Sequence, residues 1–449
     1  MNDICHGGGI MNAFDKVIGY EAIKSELLRL CDVLKNPDKY KKLGVTAPSG
    51  VLLYGAPGLG KSLMAMCFIE ESGLKSYIIR KDKPDGAFID AIKQTYTEAK
   101  EHAPAIVFLD DMDKFANEDE FHPDAQEYVT IQACIDECKA ADVFSIATVN
   151  HTDSLPDSLL RAGRFDKVIA VEYPAFWDAK KIIEHYLNEK QLSDSIDVEE
   201  LARLLENHSC AELETVINDA GIYAGFDNRD RIEYEDLKRA CIRRLFDGPE
   251  TDRPQRGEME DVIAYHEAGH VVVAEMTEPG SVNLVTTVDY YGENGGLMRV
   301  HDDSFGYRSR KQIEHDIMRE LGGKASVEVV FGIEDVGCSS DMSSAYHNMA
   351  RMIDDSCVKG FDSFIYHDAA EFTKENRDRL VATELDRIYS ETKRILIEHR
   401  DFLDAVHDEL MEKRLLTFRD IERIRQSIEG LSPAEVAEFS EVDKKLQAS

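Results

Sequence analysis

At 449 residues and 43% hydrophobic, the chain carries enough apolar material for two or three cores. Acidic residues outnumber basic ones by 87 to 53, a formal net charge of -34. That balance excludes a surface built to neutralise nucleic-acid phosphates or to dock on an anionic membrane. Nine scattered cysteines, with no pair of CxxC motifs, exclude a zinc ribbon and a disulfide framework and fit a reducing cytoplasm. Cys134 and Cys138, one helical turn apart, read as packing residues.

In chain order, residues 1–13 read as a flexible arm. The arm lacks the basic and apolar regions of a signal peptide, and its HGGG string (His6 to Gly9) has no GxSxG elbow to serve. No apolar run approaches the roughly 18 residues of a spanning helix, so a soluble chain without direct membrane insertion is expected. Residues 14–177 form the first expected domain. Helical spacing at Ile23, Leu27, Leu28 and Leu30 precedes Pro48, and then GVLLYG reads as a buried parallel strand. A helix, the strand YIIR, a helical stretch over 88–102, and the strands AIVFLDD (105–111) and VFSIATVN (143–150) follow. Strands alternating with helices predict a doubly wound parallel sheet. Residues 178–246 are helical throughout, with Leu201, Leu204, Leu205, Leu213, Val216 and Ile217 as apolar stripes, and read as a lid on that sheet. A polar linker is expected over 247–257 and a second, mostly helical domain over 258–435, with one hairpin between Val282 and Val300 and a tail over 436–449.

The stretch Gly55-Ala56-Pro57-Gly58-Leu59-Gly60-Lys61-Ser62 matches GxxxxGK[ST], and the candidate nucleotide contacts run from Gly55 to Leu63. Glycines turn successive backbone N–H groups toward phosphates, and the helix that follows presents its positive N-terminus. Lys61 is expected to reach the β- and γ-phosphates of ATP, and the Ser62 hydroxyl to meet Mg²⁺. At the end of AIVFLDD, Asp110 is placed to hold Mg²⁺ through water and Asp111 to polarise the attacking water. Asn150, ending the next strand, is placed to orient that water. Arg161 and Arg164, in LLRAGRFD, are spaced to project charge from one edge of the domain, and arginine placed in trans stabilises charge building on a γ-phosphate.

His266-Glu267-Ala268-Gly269-His270 matches HExxH within a helical stretch. Histidines at i and i+4 share a helix face and can grip one Zn²⁺, with Glu267 placed to take a proton from water. A third protein ligand is required, leaving a fourth position open.

Both motifs, in this order, resemble the FtsH family of AAA+ metalloproteases, from about residue 14 to about residue 430. FDKVIGYEAIKSEL, the P-loop, LLRAGRFD, AYHEAGHVVVAE, LGGKASVEVVFG and GCSSDMSSAYHNMARMI carry the resemblance. It implies an α/β P-loop AAA+ domain with a helical lid, followed by a helical zinc metallopeptidase domain. It also implies Asp341 as the third zinc ligand, Glu328 as an acid near the metal, a homohexamer whose arginines act across subunits, and polypeptide substrates. The chain departs from the family in four places. No N-terminal transmembrane helices are expected in it, and Asp111 stands where the family has glutamate. The pore-loop stretch RKDKPDGAFID is short and charged, leaving Phe88 as its aromatic candidate, and Cys210 stands where a glycine is usual. The resemblance with these departures leaves three readings: an ATP-dependent zinc endopeptidase, a motor with a scaffolding second domain, and a zinc peptidase in which nucleotide is structural or regulatory.

Overall fold

A computed structural model describes residues 12–82, 85–116, 125–193, 196–247, 258–288, 297–301, 308–333, 337–356 and 371–428. Residues 1–11 of the expected arm, 248–257 of the expected linker and the expected tail lie outside the described residues. The chain forms two compact units, Met1–Val198 with Leu205–Leu237, and Glu199–Leu204 with Lys238–Ser449.

In chain order the first stretch comprises α1 (Glu21–Lys35), α2 (Pro37–Lys41), β1 (Gly50–Tyr54), α3 (Lys61–Ser72), β2 (Lys75–Ile79), α4 (Asp85–Glu101), β3 (Ala105–Leu109), α5 (Gln126–Cys138), β4 (Val143–Val149) and β5 (Lys167–Ala170). Helices α6 (Phe176–Leu187), α7 (Val198–Leu204), α8 (Cys210–Phe226) and α9 (Tyr234–Leu245) follow. The five strands pair in parallel in the order β2-β3-β4-β1-β5. Successive side chains of a strand point to opposite faces, and both faces are covered. Val51, Leu53, Ile106, Phe108, Phe144 and Ile146 pack with Leu27 of α1 and Met64 and Phe68 of α3. Leu52, Val107, Leu109, Ala147 and Val149 pack with Ile92 and Tyr96 of α4 and Ile131 and Ile135 of α5. The expected strands are all present, and β5 is an addition at the sheet edge beside β1. Parallel strands with a phosphate loop after β1 place Gly55, Asp110 and Asn150 at one end of the sheet, the carboxyl end where such folds bind ligands.

The second unit contains α10 (Glu258–Thr277), β6 (Val282–Thr286), β7 (Leu297–Val300), α11 (Arg310–Phe331), α12 (Ser339–Asp354), α13 (Glu371–Glu398), α14 (Arg400–Lys413), β8 (Leu415–Thr417) and α15 (Phe418–Ser427). Val271, Val272, Ile317, Leu321, Met349, Ile388 and Leu403 are among its buried core. The expected hairpin is present as β6 and β7, paired from Val282↔Val300 to Thr286↔Leu297, and β8 joins the other edge of β6. Among the described residues no helix is long and apolar enough to cross a membrane.

Candidate active sites: a phosphate cradle and a metal centre

After β1 the chain turns through Gly55, Gly58 and Gly60 at φ of 148, 80 and 84 degrees, a region L side chains rarely adopt. A Cβ on Gly55 would lie 2.0 Å from the Val171 carbonyl oxygen, so only glycine lets the loop lie this close to the chain after β5. Ala211 N–H, in the first turn of α8, donates to the Gly58 carbonyl at 3.1 Å. Ser209 caps α8 in a reciprocal pair with Glu212. Cys210, the residue at the usual glycine position, begins that helix and turns its thiol toward the Tyr20 hydroxyl at 3.5 Å, away from the loop's hydrogen bond. A cavity of about 420 Å³ opens beside Gly55, Ala56 and Leu59. Leu59 itself is buried in the core, whereas Leu63 is exposed on α3.

Lys61 is buried and donates to the carbonyls of Gly55 and Ala56 at 2.7 and 2.8 Å and to Asn150 Oδ1 at 3.0 Å. Burial lowers its pKa, against the pull of Asp111, Asp113 and Asp110. Ser62 Oγ donates to Asp110 Oδ1 at 2.7 Å and Thr148 Oγ1 to the same oxygen at 3.0 Å. Arg80 takes the other oxygen, with Nε and Nη2 at 2.9 and 2.8 Å. Asp111 has a left-handed backbone at φ 55 degrees and donates its N–H to Thr148 Oγ1 at 2.9 Å. Its carboxylate faces Lys114 Nζ at 2.8 Å. The Asp113 carboxylate accepts from the Asn150 N–H at 3.1 Å and thereby sets the position of that amide. The structure therefore pairs Lys61 with Asn150 and Ser62 with Asp110, two hydrogen-bonded pairs side by side at the end of the loop.

The two arginines differ. Arg164 is engaged within its own unit, by Asp136 at 2.8 Å, the Ser158 carbonyl at 2.6 Å and Gln132 at 3.2 Å. Arg161 is exposed, and its side chain has no hydrogen bond or ion pair among the described residues. Gly163, at φ 91 degrees, and Asp166, which accepts from Gly163 N–H and Ser49 N–H at 2.6 Å each, shape the turn that carries both. Phe88, the aromatic candidate for the pore loop, is 0% exposed and packs edge-on to Phe115 at 4.9 Å. It belongs to the core, because it falls in the first turns of α4 on the face that meets the sheet.

In the second unit His266 and His270 lie one turn apart on α10, and Asp341 lies in the first turn of α12. The two Nε2 atoms are 3.0 Å apart, and Asp341 Oδ2 is 3.2 Å from the first and 3.6 Å from the second. A tetrahedral zinc with bonds of about 2.0–2.1 Å has ligand–ligand edges of about 3.3 Å, so these three donors fit a zinc ion. His270 Nδ1 is 2.6 Å from the Arg319 carbonyl oxygen, an atom that can only accept. The proton is therefore on Nδ1, and Nε2 presents its lone pair to the cluster. A Cβ on Gly323 of α11 would stand 2.4 Å from His266 Nε2 and 2.5 Å from His270 Nε2, so the missing side chain is part of the cradle. Burial tends to raise the Asp341 carboxyl, but the imidazoles of His266 and His270 beside it outweigh burial and hold the group well below the usual carboxylate range. Glu267 is 5% exposed, and burial raises its pKa against the pull of the two histidines. Glu328 lies outside the ligand cluster, bound at 2.6 Å by Tyr389 and at 2.5 Å by Lys393.

Residues 51–173 match the model of the ATPase family associated with various cellular activities (AAA), and residues 255–357 match peptidase family M41. The chain is 30% identical over 432 residues to the ATP-dependent zinc metalloprotease FtsH of Lachnoclostridium phytofermentans, covering 91% of this chain and 74% of that protein. It is 30% identical over 450 residues to the same-named protein of Mesoplasma florum, covering 96% and 68%. Against FtsH 2 of Phytoplasma mali it is 27% identical, covering 92% of this chain and 62% of that protein. The chain belongs to the FtsH family of ATP-dependent zinc metalloproteases.

Within this FtsH-family chain, several residues of the two sites carry no motif of their own. Arg80, Thr148 and Asp113 meet the ATP cluster through space, although the last acid of DDMD stands one turn from the first. Gly322 and Gly323 fall in LGGKASVEVVFG, one of the stretches that carry the resemblance, as a glycine pair in a helix, where glycine is disfavoured without a packing reason.

Proposed function

We propose that the chain is an ATP-dependent zinc endopeptidase of unfolded or partly unfolded polypeptide, working as a homohexamer in a reducing cytoplasm. What supports this most is the convergence of His266, His270 and Asp341 within one ligand sphere beside a buried Glu267, in a chain that also carries a formed P-loop. His266, His270 and Asp341 hold the zinc. Bound zinc supplies positive charge that makes water acidic and polarises a peptide carbonyl. Glu267 takes the proton of the attacking water and delivers it to the departing amine, and its raised pKa suits a group that must first accept and then release. The Arg319 carbonyl keeps His270 in the ligating tautomer.

In the other unit, the loop from Gly55 to Gly60 cradles phosphates, Lys61 meets their charge, and Ser62 with Asp110 holds Mg²⁺. Asp111 and Asn150 orient the attacking water once Asp111 leaves Lys114. Arg161, exposed and without a partner among the described residues, is the arginine that acts on a neighbour's nucleotide, while Arg164 holds the turn through Asp136. The seven described cysteines are all free thiols, in keeping with a reducing compartment. The test is degradation of casein with and without ATP, with zinc measured on the same sample. Glu267→Gln should abolish cleavage while ATP binding stays intact, and undiminished proteolysis in that variant would overturn the assignment.

A further inference from the structure

We propose that Arg80 is the resident cation of the magnesium site, and that the nucleotide's metal enters by taking Asp110 Oδ2 from it. This inference rests on the reading of the first unit as an ATP site. A carboxylate offers about four acceptor positions. On Asp110, Ser62 and Thr148 use Oδ1, and the Nε and Nη2 of Arg80 use Oδ2. A hydrated divalent cation that approaches the Ser62 hydroxyl needs one of these positions for a water proton, and only Oδ2 is held by a group that can leave. Thr148 also receives the Asp111 N–H and lies on a buried strand. Ser62 is itself the expected ligand. Arg80, by contrast, has 62% of its side chain in solvent although Asp110 has only 9%.

The backbone beside Arg80 is held by the sheet, because the Ile79 carbonyl accepts from the Asp110 N–H at 3.1 Å and Ile79 pairs with Leu109. Displacement therefore moves the guanidinium and leaves β2 in place. Arginine suits the task because its charge is permanent and two of its N–H groups, Nε and Nη2, converge on Oδ2. In this position it neutralises the cluster of Asp110, Asp111 and Asp113 around Lys61 until Mg²⁺ replaces it.

The measurement is Mn²⁺ binding, followed by the free-ion electron paramagnetic resonance signal, on the full chain holding one equivalent of a non-hydrolysable ATP analogue. Removing a competing unit charge about one ion-pair distance away should tighten the metal about tenfold. Arg80→Ala and Arg80→Gln should both show this shift, and Arg80→Lys, which keeps charge without the converging pair of N–H groups, should fall between them and wild type. Analogue binding in EDTA should stay within about twofold of wild type in all three, which also reports that the variants fold. Equal Mn²⁺ affinity in Arg80→Ala and wild type overturns the inference and leaves the nucleotide site standing. Loss of analogue binding in EDTA also overturns it, since Arg80 would then be a phosphate ligand. A wild-type chain that binds no analogue at all removes the nucleotide reading and the inference together.

Discussion

Gly323 has no side chain because two imidazole nitrogens stand where one would go. Its Cβ would meet His266 Nε2 at 2.4 Å and His270 Nε2 at 2.5 Å, so Gly323→Ala must push the ligand pair or tilt α11. Zinc affinity, measured by competition with a chelator, should fall about 10- to 100-fold, the range typical of a disturbed ligand shell; an unchanged affinity would mean the helices part without cost. Glu320, three residues earlier on α11, makes a different prediction. Burial raises its carboxyl from 4.5 to about 7, and Asn348, which donates to Oε1 at 2.9 Å, only partly offsets this. Between those two values the folded chain holds a proton the unfolded chain has lost, so stability is full below 4.5 and declines as pH rises to about 7. Glu320→Gln should remove this decline, so the difference in urea midpoint between variant and wild type should grow from pH 5 to pH 8. A pH-independent difference would refute the assignment. At this scale the sequence was legible where chemistry follows spacing: histidines at i and i+4 and a lysine after three glycines. Asp341 came from resemblance alone, and Arg80 and Gly323 act only through neighbours far away in the chain.

At the scale of elements, the metal centre depends on how closely α10 and α11 cross. Gly269 and Gly322 lie backbone to backbone: a Cβ on Gly269 would be 2.4 Å from the Gly322 carbonyl oxygen and 2.5 Å from Ser326 Cβ. Ser326 Oγ donates to the Tyr265 carbonyl at 2.6 Å and fastens the same crossing. Overpacking such a contact costs about 1–3 kcal/mol, so Gly269→Ala should lower the thermal midpoint and loosen zinc in parallel, as followed by calorimetry and metal content. A variant as stable as wild type would show that the close crossing is not required. The buried strands β1, β3 and β4 were legible because each is a short apolar run with turn residues beyond it. β5 was not, since as an edge strand it exposes Lys167 and Val168 and buries chiefly Ile169. β8 spans only Leu415–Thr417, too short for any alternation to register. Phe88 misled for the opposite reason, because helical position decides burial there and α4 turns that ring onto the sheet.

For the whole molecule, the decisive question is whether one subunit completes another's ATP site. Arg161 is exposed and has no partner among the described residues, whereas Arg164 is spent on Asp136, Gln132 and Ser158. An arginine that meets the γ-phosphate charge from a neighbour contributes about 10³–10⁵ in turnover, so Arg161→Ala should be nearly inactive while still binding ATP. Lys61→Ala should be inactive because it lacks the phosphate-binding amine. Mixing the two inactive proteins separates a trans role from a cis one. In a mixed ring, a subunit with an intact P-loop and the Arg161→Ala change can receive Arg161 from a Lys61→Ala neighbour, so ATPase activity should reappear on co-assembly. Sedimentation of the mixture as a hexamer must accompany the recovery. If the mixture co-assembles and stays inactive, Arg161 does not serve its neighbour, and the arginine would have to act within its own subunit.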